Sequence, residues 1–278
     1  LLVARAVERL RAVAWVLGFY ALAFATTSVA LLAFPPPPLP HPIQVFATTP
    51  ALFLGAAIAT TAAGLLRRNA AAIGWPGLRA AARGVIDGTG VGAAMGVVAL
   101  VACFAAGARW GLTGESVTSY VPALGLVLSG IAVAALAEEL LFRGFPLATL
   151  AGAFGRAGAA GVLAVAFGLV HGGNPSVTPL GLANIMLASV VLSWAFFTRG
   201  ALVTAWSLHA GWNGALAAAD VPVSGIGFDL PGVDYAAGAH WLTGGSFGPE
   251  GGVAATAAMV GGLTWFAVRA RRAGAAAA

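Results

Sequence analysis

Two adjacent carboxylates in an apolar run are the feature of this sequence that most invites a chemical explanation. In "ALAEELLFRG", Glu138 and Glu139 follow small and apolar residues, and Arg143 stands four residues beyond Glu139. Successive residues of a helix are about 100° apart, so the two glutamates must point in different directions. Glu139 and Arg143, at i and i+4, share a face on which carboxylate and guanidinium can pair. The spacing predicts a division of labour: Glu139 is held by Arg143 and is largely structural, while Glu138 faces a cavity. Downstream, "FGLVH" sets Phe167 and His171 one turn apart, and "HAGWN" does the same for His209 and Asn213.

A free carboxylate, two imidazoles and a carboxamide are the parts needed to hydrolyse a bond with activated water. Glu138 can act as general base, and a histidine can orient water or donate a proton. His209 and Asn213, stacked on one face, can donate hydrogen bonds to a developing oxyanion. No Ser or Cys stands one turn from a histidine with an acid beyond it, so a nucleophile triad has no support. The metal-binding spacing HExxH is absent as well. His41 and His240 fall in loop-like segments and are read as loop residues.

The elements that must carry these groups are membrane helices. The chain is 60% hydrophobic and 8% charged, against about a quarter charged in a soluble domain, and its mean hydropathy is +0.92. These values exclude disorder. At about 20 apolar residues per crossing, about eight spans are expected: 12–34, 43–66, 85–107, 120–149, 157–173, 178–198, 201–219 and 251–268. The expected fold is an all-α polytopic transmembrane bundle, one domain over 1–278, with 120–219 as its catalytic core. An ionised side chain at mid-bilayer costs about 2.5–3.5 kcal/mol, so such residues face the bundle interior and mark function. Counting ~1.5 Å per residue from helix ends near 149, 157 and 201 sets Glu138, His171 and His209 roughly 16, 21 and 12 Å deep, close enough to meet.

The fourteen basic residues are all arginine, and the net charge is +5. They form no continuous basic patch, so no nucleic-acid partner is expected; they sit in short groups between apolar runs. With the N-terminus in the cytoplasm, Arg67, Arg68, Arg79, Arg83, Arg143, Arg156, Arg199 and the "RARR" at 269–272 all fall inside, and Arg109 alone outside. Glu115, Asp220, Asp229, Asp234 and Glu250 then lie outside. The positive-inside rule thus puts both termini in the cytoplasm. The first span follows Arg5, Arg9 and Arg11 but is too long for the core of a secretory signal, and "PPPPLPHP" follows it, so it reads as an anchor. The single cysteine, Cys103, lies in an apolar run and reads as an inert thiol. Arginine without lysine, with much Ala, Gly and Pro, suggests a GC-rich bacterium and hence its inner membrane.

Glu-Glu-x-x-x-Arg, then Phe-x-x-x-His, then His-x-x-x-Asn, on successive hydrophobic segments, resembles the CPBP family of intramembrane proteases. That family includes CAAX-processing enzymes and bacterial bacteriocin-processing and immunity proteins. The matching residues are Glu138, Glu139, Arg143, Phe167, His171, His209 and Asn213, and the tail "LTGGSFGPEGG" is also similar to bacterial members. The resemblance implies peptide-bond hydrolysis in a cavity within the bilayer, on a membrane-associated peptide or protein. It implies that Glu138 activates water with His171, that His209 and Asn213 stabilise the oxyanion, and that Glu139 and Arg143 hold the site together. Zinc accepts His and Glu ligands; if a metal is bound, Glu138, His171 and His209 would hold it. The metal-free reading is preferred, because Glu139 is committed to Arg143. CAAX cleavage is read as a family label, since bacteria generally lack prenylated CAAX proteins. The rival reading is a non-catalytic immunity factor or transporter that uses the same polar cluster as a proton or ligand path. A transporter of this size would often show an inverted repeat, and none is seen.

Reporter fusions after residues 70 and 272 are expected to report cytoplasm, and fusions near 38 and 235 the opposite side. A periplasmic signal at 70 reverses the orientation.

Overall fold

The computed structural model describes residues 2–39, 43–67, 77–113, 117–197 and 201–275. His41, Arg68, Glu115 and Arg199 lie outside the described residues, so the expectations placed on them are not addressed. The chain folds as the expected helical membrane bundle. Its long helices are α1 (Leu2–Ala33), α2 (Thr49–Arg67), α3 (Leu78–Ala105), α4 (Val117–Phe142), α5 (Phe145–Val170), α6 (Pro179–Phe196), α7 (Ala201–Ala217) and α9 (Val253–Ala275). A one-turn helix, α8, spans His240–Thr243, and a 3-10 turn, Gln44–Phe46, precedes α2. Two short strands, β1 (Arg109–Leu112) and β2 (Val233–Ala236), pair antiparallel with Arg109 opposite Ala236.

Among the described residues, five segments are long and apolar enough to cross a membrane: Leu2–Ala33, Gln44–Arg67, Leu78–Ala105, Thr118–Val170 and Pro179–Phe196. Thr118–Val170 holds both α4 and α5, and Val253–Arg269 is a shorter apolar helix. Helix α7, the carrier of His209 and Asn213, packs on α3, α4 and α6.

The fourth and fifth helices depart from the expected boundaries. Helix α4 stops at Phe142, not near 149, and α5 begins at Phe145. The signal for the stop is "RGFP": a glycine at the corner, then Pro146 in the first turn of the next helix. Proline is tolerated there, because its missing N–H would have no intrahelical acceptor. Within α5 the helix breaks at Gly155, where φ is 78° and ψ is 162°, a conformation open only to glycine at low cost. A short helix over 145–154 therefore precedes a second part, 156–170. It packs at the end of the bundle where α1 starts and α2 finishes: Phe145 stacks on Phe19 at 5.5 Å, Arg9 Nε donates to the Ala153 carbonyl at 3.4 Å, and Arg67 Nη1 donates to Thr149 at 3.3 Å.

Helix α7 is fixed by an unusually close neighbour. Gly88, Gly92 and Gly96 recur every fourth residue along α3, on the face that meets Ser207, Leu208, Trp212 and Ala215 of α7. A Cβ on Gly92 would collide with the Leu208 carbonyl oxygen, and one on Gly88 with the Ser207 hydroxyl. Lipid tails are as apolar as leucine, so helices in a bilayer associate through close van der Waals packing, and small residues permit that approach. Ser207 adds a hydrogen bond to the Gly84 carbonyl at 2.9 Å.

Gly92→Ala is expected to part α3 from α7 and to lower the thermal midpoint in detergent. Gly90→Ala, whose added Cβ would meet nothing within 4 Å, should leave it unchanged or raise it slightly. Equal midpoints for the two variants would mean that the close contact does not hold the bundle.

Candidate active site

The two glutamates diverge as helix geometry requires. The Glu139 side chain is fully buried, whereas that of Glu138 is 28% exposed and faces a cavity. Arg143 stands in the turn between α4 and α5, and its side chain is fully buried too. Its Nη1 donates to Glu139 Oε1 at 3.2 Å. Its Nε and Nη2 find no hydrogen-bond acceptor; the guanidinium instead lies 4.4 Å from the ring centroid of Phe167 and 5.8 Å from that of Phe142. Aromatic faces attract a desolvated guanidinium electrostatically. The cation turns inward to a carboxylate and two rings instead of reaching for the headgroups.

Glu139 has a further partner that sequence spacing does not reveal. The same Oε1 lies 2.9 Å from Nδ1 of His209, across the interface of α4 and α7. Nδ1 of His171 lies 2.7 Å from the Phe167 carbonyl oxygen, one turn back on α5. A carboxylate and a carbonyl only accept, so each Nδ1 carries the proton. In the neutral ring the other nitrogen, Nε2, then presents a lone pair. Both Nε2 atoms turn toward Glu138 Oε2, at 3.9 Å from His171 and 4.0 Å from His209. Asn213 follows His209 by one turn and lines the same cavity.

The break in α5 also alters the expected depths. Glu138 lies only ~6 Å from the end of α4. The three side chains still meet, because the short 145–154 helix lies beyond that end.

The cavity has a volume of about 600 Å³. Tyr20 and Phe24 of α1, Leu52 of α2 and Leu141 of α4 give it apolar walls. At one side Phe46 stacks on Phe228 of the 220–232 loop, with ring centroids 6.1 Å apart. The polar end is formed by Glu138, His171, His209 and Asn213.

A metal does not fit these atoms as they stand. Tetrahedral zinc with bonds of about 2.0–2.1 Å brings ligand atoms to within ~3.4 Å of one another, and here the carboxylate and imidazole atoms are 3.9 and 4.0 Å apart. Among the described residues no group of three or more His, Cys, Asp or Glu is arranged to hold a metal ion.

A buried acid stands beside the site: Glu250, which the charge distribution sets on the outer side, is only 5% exposed. Its Oε1 accepts from the Trp212 indole at 2.9 Å, and its Oε2 from the backbone N–H and hydroxyl of Ser224, both at 2.6 Å. Asn184 of α6 donates to the carbonyls of Glu250 and Gly252 at 2.8 and 3.0 Å. The network ties the glycine-rich turn to α6 and to the helix of Asn213. The signal in the sequence was a lone acid within "GGSFGPEGG". His240, by contrast, is exposed on α8.

Comparison with known families covers the stretch that carries all three motifs. The model of the Rce1-like family, type II CAAX prenyl endopeptidases, matches residues 119–215. This segment of the chain is similar to that family. The resemblance to the CPBP proteases drawn from the motifs is borne out over that stretch, which runs from the start of α4 nearly to the end of α7. No curated protein and no solved structure matches the chain. The matched segment thus lies within a bundle of apolar helices.

Glu139→Gln is expected to strand Arg143 and remove an acceptor from His209. Breaking a buried ion pair costs about 3–5 kcal/mol, so expression and thermal midpoint should fall. Glu138→Gln should melt like the wild type, and replacing Glu139 and Arg143 jointly by Gln and Met should recover much of the lost stability. A Glu138→Gln variant as unstable as Glu139→Gln would sink the distinction.

Proposed function

We propose that the protein is an intramembrane endopeptidase that hydrolyses a peptide bond of a membrane-associated peptide or protein, using water activated by Glu138 and His171. The observation that carries this reading is the convergence of two imidazole lone pairs on one free carboxylate oxygen, with both Nδ1 protons held elsewhere. A separation of 3.9 Å between Glu138 Oε2 and His171 Nε2 is too long for a direct hydrogen bond. It suits a water that gives one hydrogen to each.

The steps follow from the donors and acceptors. Glu138 takes a proton as the water oxygen attacks the scissile carbonyl carbon. The carbonyl oxygen gains negative charge and accepts from the Asn213 amide. His209 can donate through Nε2 only as imidazolium, a charge that Glu139 compensates at Nδ1. When the tetrahedral intermediate collapses, the proton held on Glu138 passes to the leaving amine. Glu139 and Arg143 act through position: one carboxylate oxygen orients His209 while the guanidinium orients the carboxylate.

The apolar walls and the family of the 119–215 segment support a substrate that arrives from the bilayer. Both termini in the cytoplasm of a bacterium, and the inner membrane as its location, complete the proposal on the arginine distribution.

In proteoliposomes, Glu138→Gln is expected to cut turnover of a membrane peptide by about 10²–10⁴, the contribution of a positioned general base, with an unchanged melting profile. Full activity in that variant would remove Glu138 as the base. Wild-type activity should also survive dialysis against a chelator. Activity lost on dialysis and restored by one equivalent of zinc would make Glu138, His171 and His209 metal ligands instead.

A further inference from the structure

Behind the two imidazoles lies a second, much smaller compartment of about 40 Å³. His171, His209, Asn213 and Ser224 line both it and the wide cavity, so they form the partition between the two. The far walls are apolar: Met95 of α3, Ile185 and Leu192 of α6, Leu208 of α7 and Met259 of α9. Glu250 also borders it, but its carboxylate oxygens already accept from Trp212 and Ser224. The Nδ1 atoms of both histidines are likewise engaged.

The geometry points to a size-selective subsite for one substrate side chain, with Met259, Met95 and Leu192 setting its depth. This rests on the hydrolase reading above. A compartment that is polar at its mouth and apolar beyond suits a side chain whose backbone stays among the polar groups. A water there would find polar partners only at the mouth, and a buried water needs two to four. Side chains of an extended peptide alternate in direction. With the scissile carbonyl between Glu138 and Asn213, one of the two residues flanking the bond directs its side chain away from the wide cavity and into the small one.

The volume sets the size limit. About 10–15 Å³ holds one water, and a cavity of about 150 Å³ holds benzene. A space of 40 Å³ admits the side chain of Ala or Ser, or none at all for Gly, and excludes Leu and Phe. Methionine is unbranched and flexible, so Met95 and Met259 close tightly on a small group.

The full chain, reconstituted in liposomes, is offered a pool of lipid-anchored peptides randomised at their central positions, and cleavage points are read by mass spectrometry. Wild-type protein is expected to cut where one flanking residue is Gly, Ala or Ser. Met259→Ala should raise kcat/KM for Val or Leu relative to Ala by about 10–100-fold, the scale of discrimination by a methylene-sized difference in an apolar pocket. Leu192→Ala makes the same test from another helix if Met259→Ala melts early. Ala188→Leu, which fills the compartment, should narrow the preference to Gly. The subsite is overturned if the widened variants keep the wild-type preference, including when they change only the overall rate, as a water compartment would. It is overturned equally if wild-type protein accepts Leu or Phe on both sides of the bond as readily as Ala. No cleavage of any peptide by wild-type protein removes the hydrolase reading and the subsite with it; cleavage with unaltered preference removes the subsite alone.

Discussion

A carboxylate with no exposed surface must find donors inside the protein, and Glu139 finds them on two other parts of the fold. Its Oε1 accepts from Arg143 at the corner between α4 and α5, and lies against Nδ1 of His209 on α7. Neither bond is strong in isolation, because desolvation of a buried pair consumes most of the Coulombic gain. Their value is directional. One oxygen fixes the rotation of the His209 ring, and the guanidinium that holds the oxygen is itself fixed between Phe142 and Phe167. Phe167 also supplies the carbonyl that orients His171. Three helices thus share one polar knot, and the orientation of both imidazoles follows from it.

Glu138 gains its freedom from that knot. Adjacent in sequence and about 100° away on the helix, it accepts no hydrogen bond from Arg143 or from a backbone donor among the described residues, and its oxygen faces two lone pairs. The arrangement is rich in acceptors and poor in donors, which suits a ligand that brings hydrogens of its own. Water is the simplest such ligand.

Much of this was legible from residue spacing, and the omissions share a cause. The membrane-bundle class follows from composition, and the Glu139–Arg143 pair follows from i,i+4 geometry within one helix. The link from Glu139 to His209 spans 70 residues of chain, and no periodicity in either segment encodes it. A helix end near 149 follows from hydropathy averaged over the segment, which passes over Glu138, Glu139 and Arg143; the corner depends on Gly144 and Pro146, which hydropathy ignores. Arg143 does stand at a turn, but its burial is not legible, since a side chain that reaches outward and one that reaches inward leave identical letters. The burial of Glu250 depends on its glycine-rich turn folding back against Trp212 and Ser224, which the letters of that turn do not encode.

The glycine ridge of α3 has a consequence for how such a chain is made. Entry into the bilayer is judged segment by segment on apolarity, whereas assembly of the inserted helices depends on shape. A bulkier apolar residue on the ridge would improve the first score and ruin the second. Such a change would give a chain of correct topology, correct length and full membrane residence, in which the helix bearing His209 and Asn213 stands away from its neighbour. Quality control at the translocon would pass it, and the defect would surface only when the bundle tried to close.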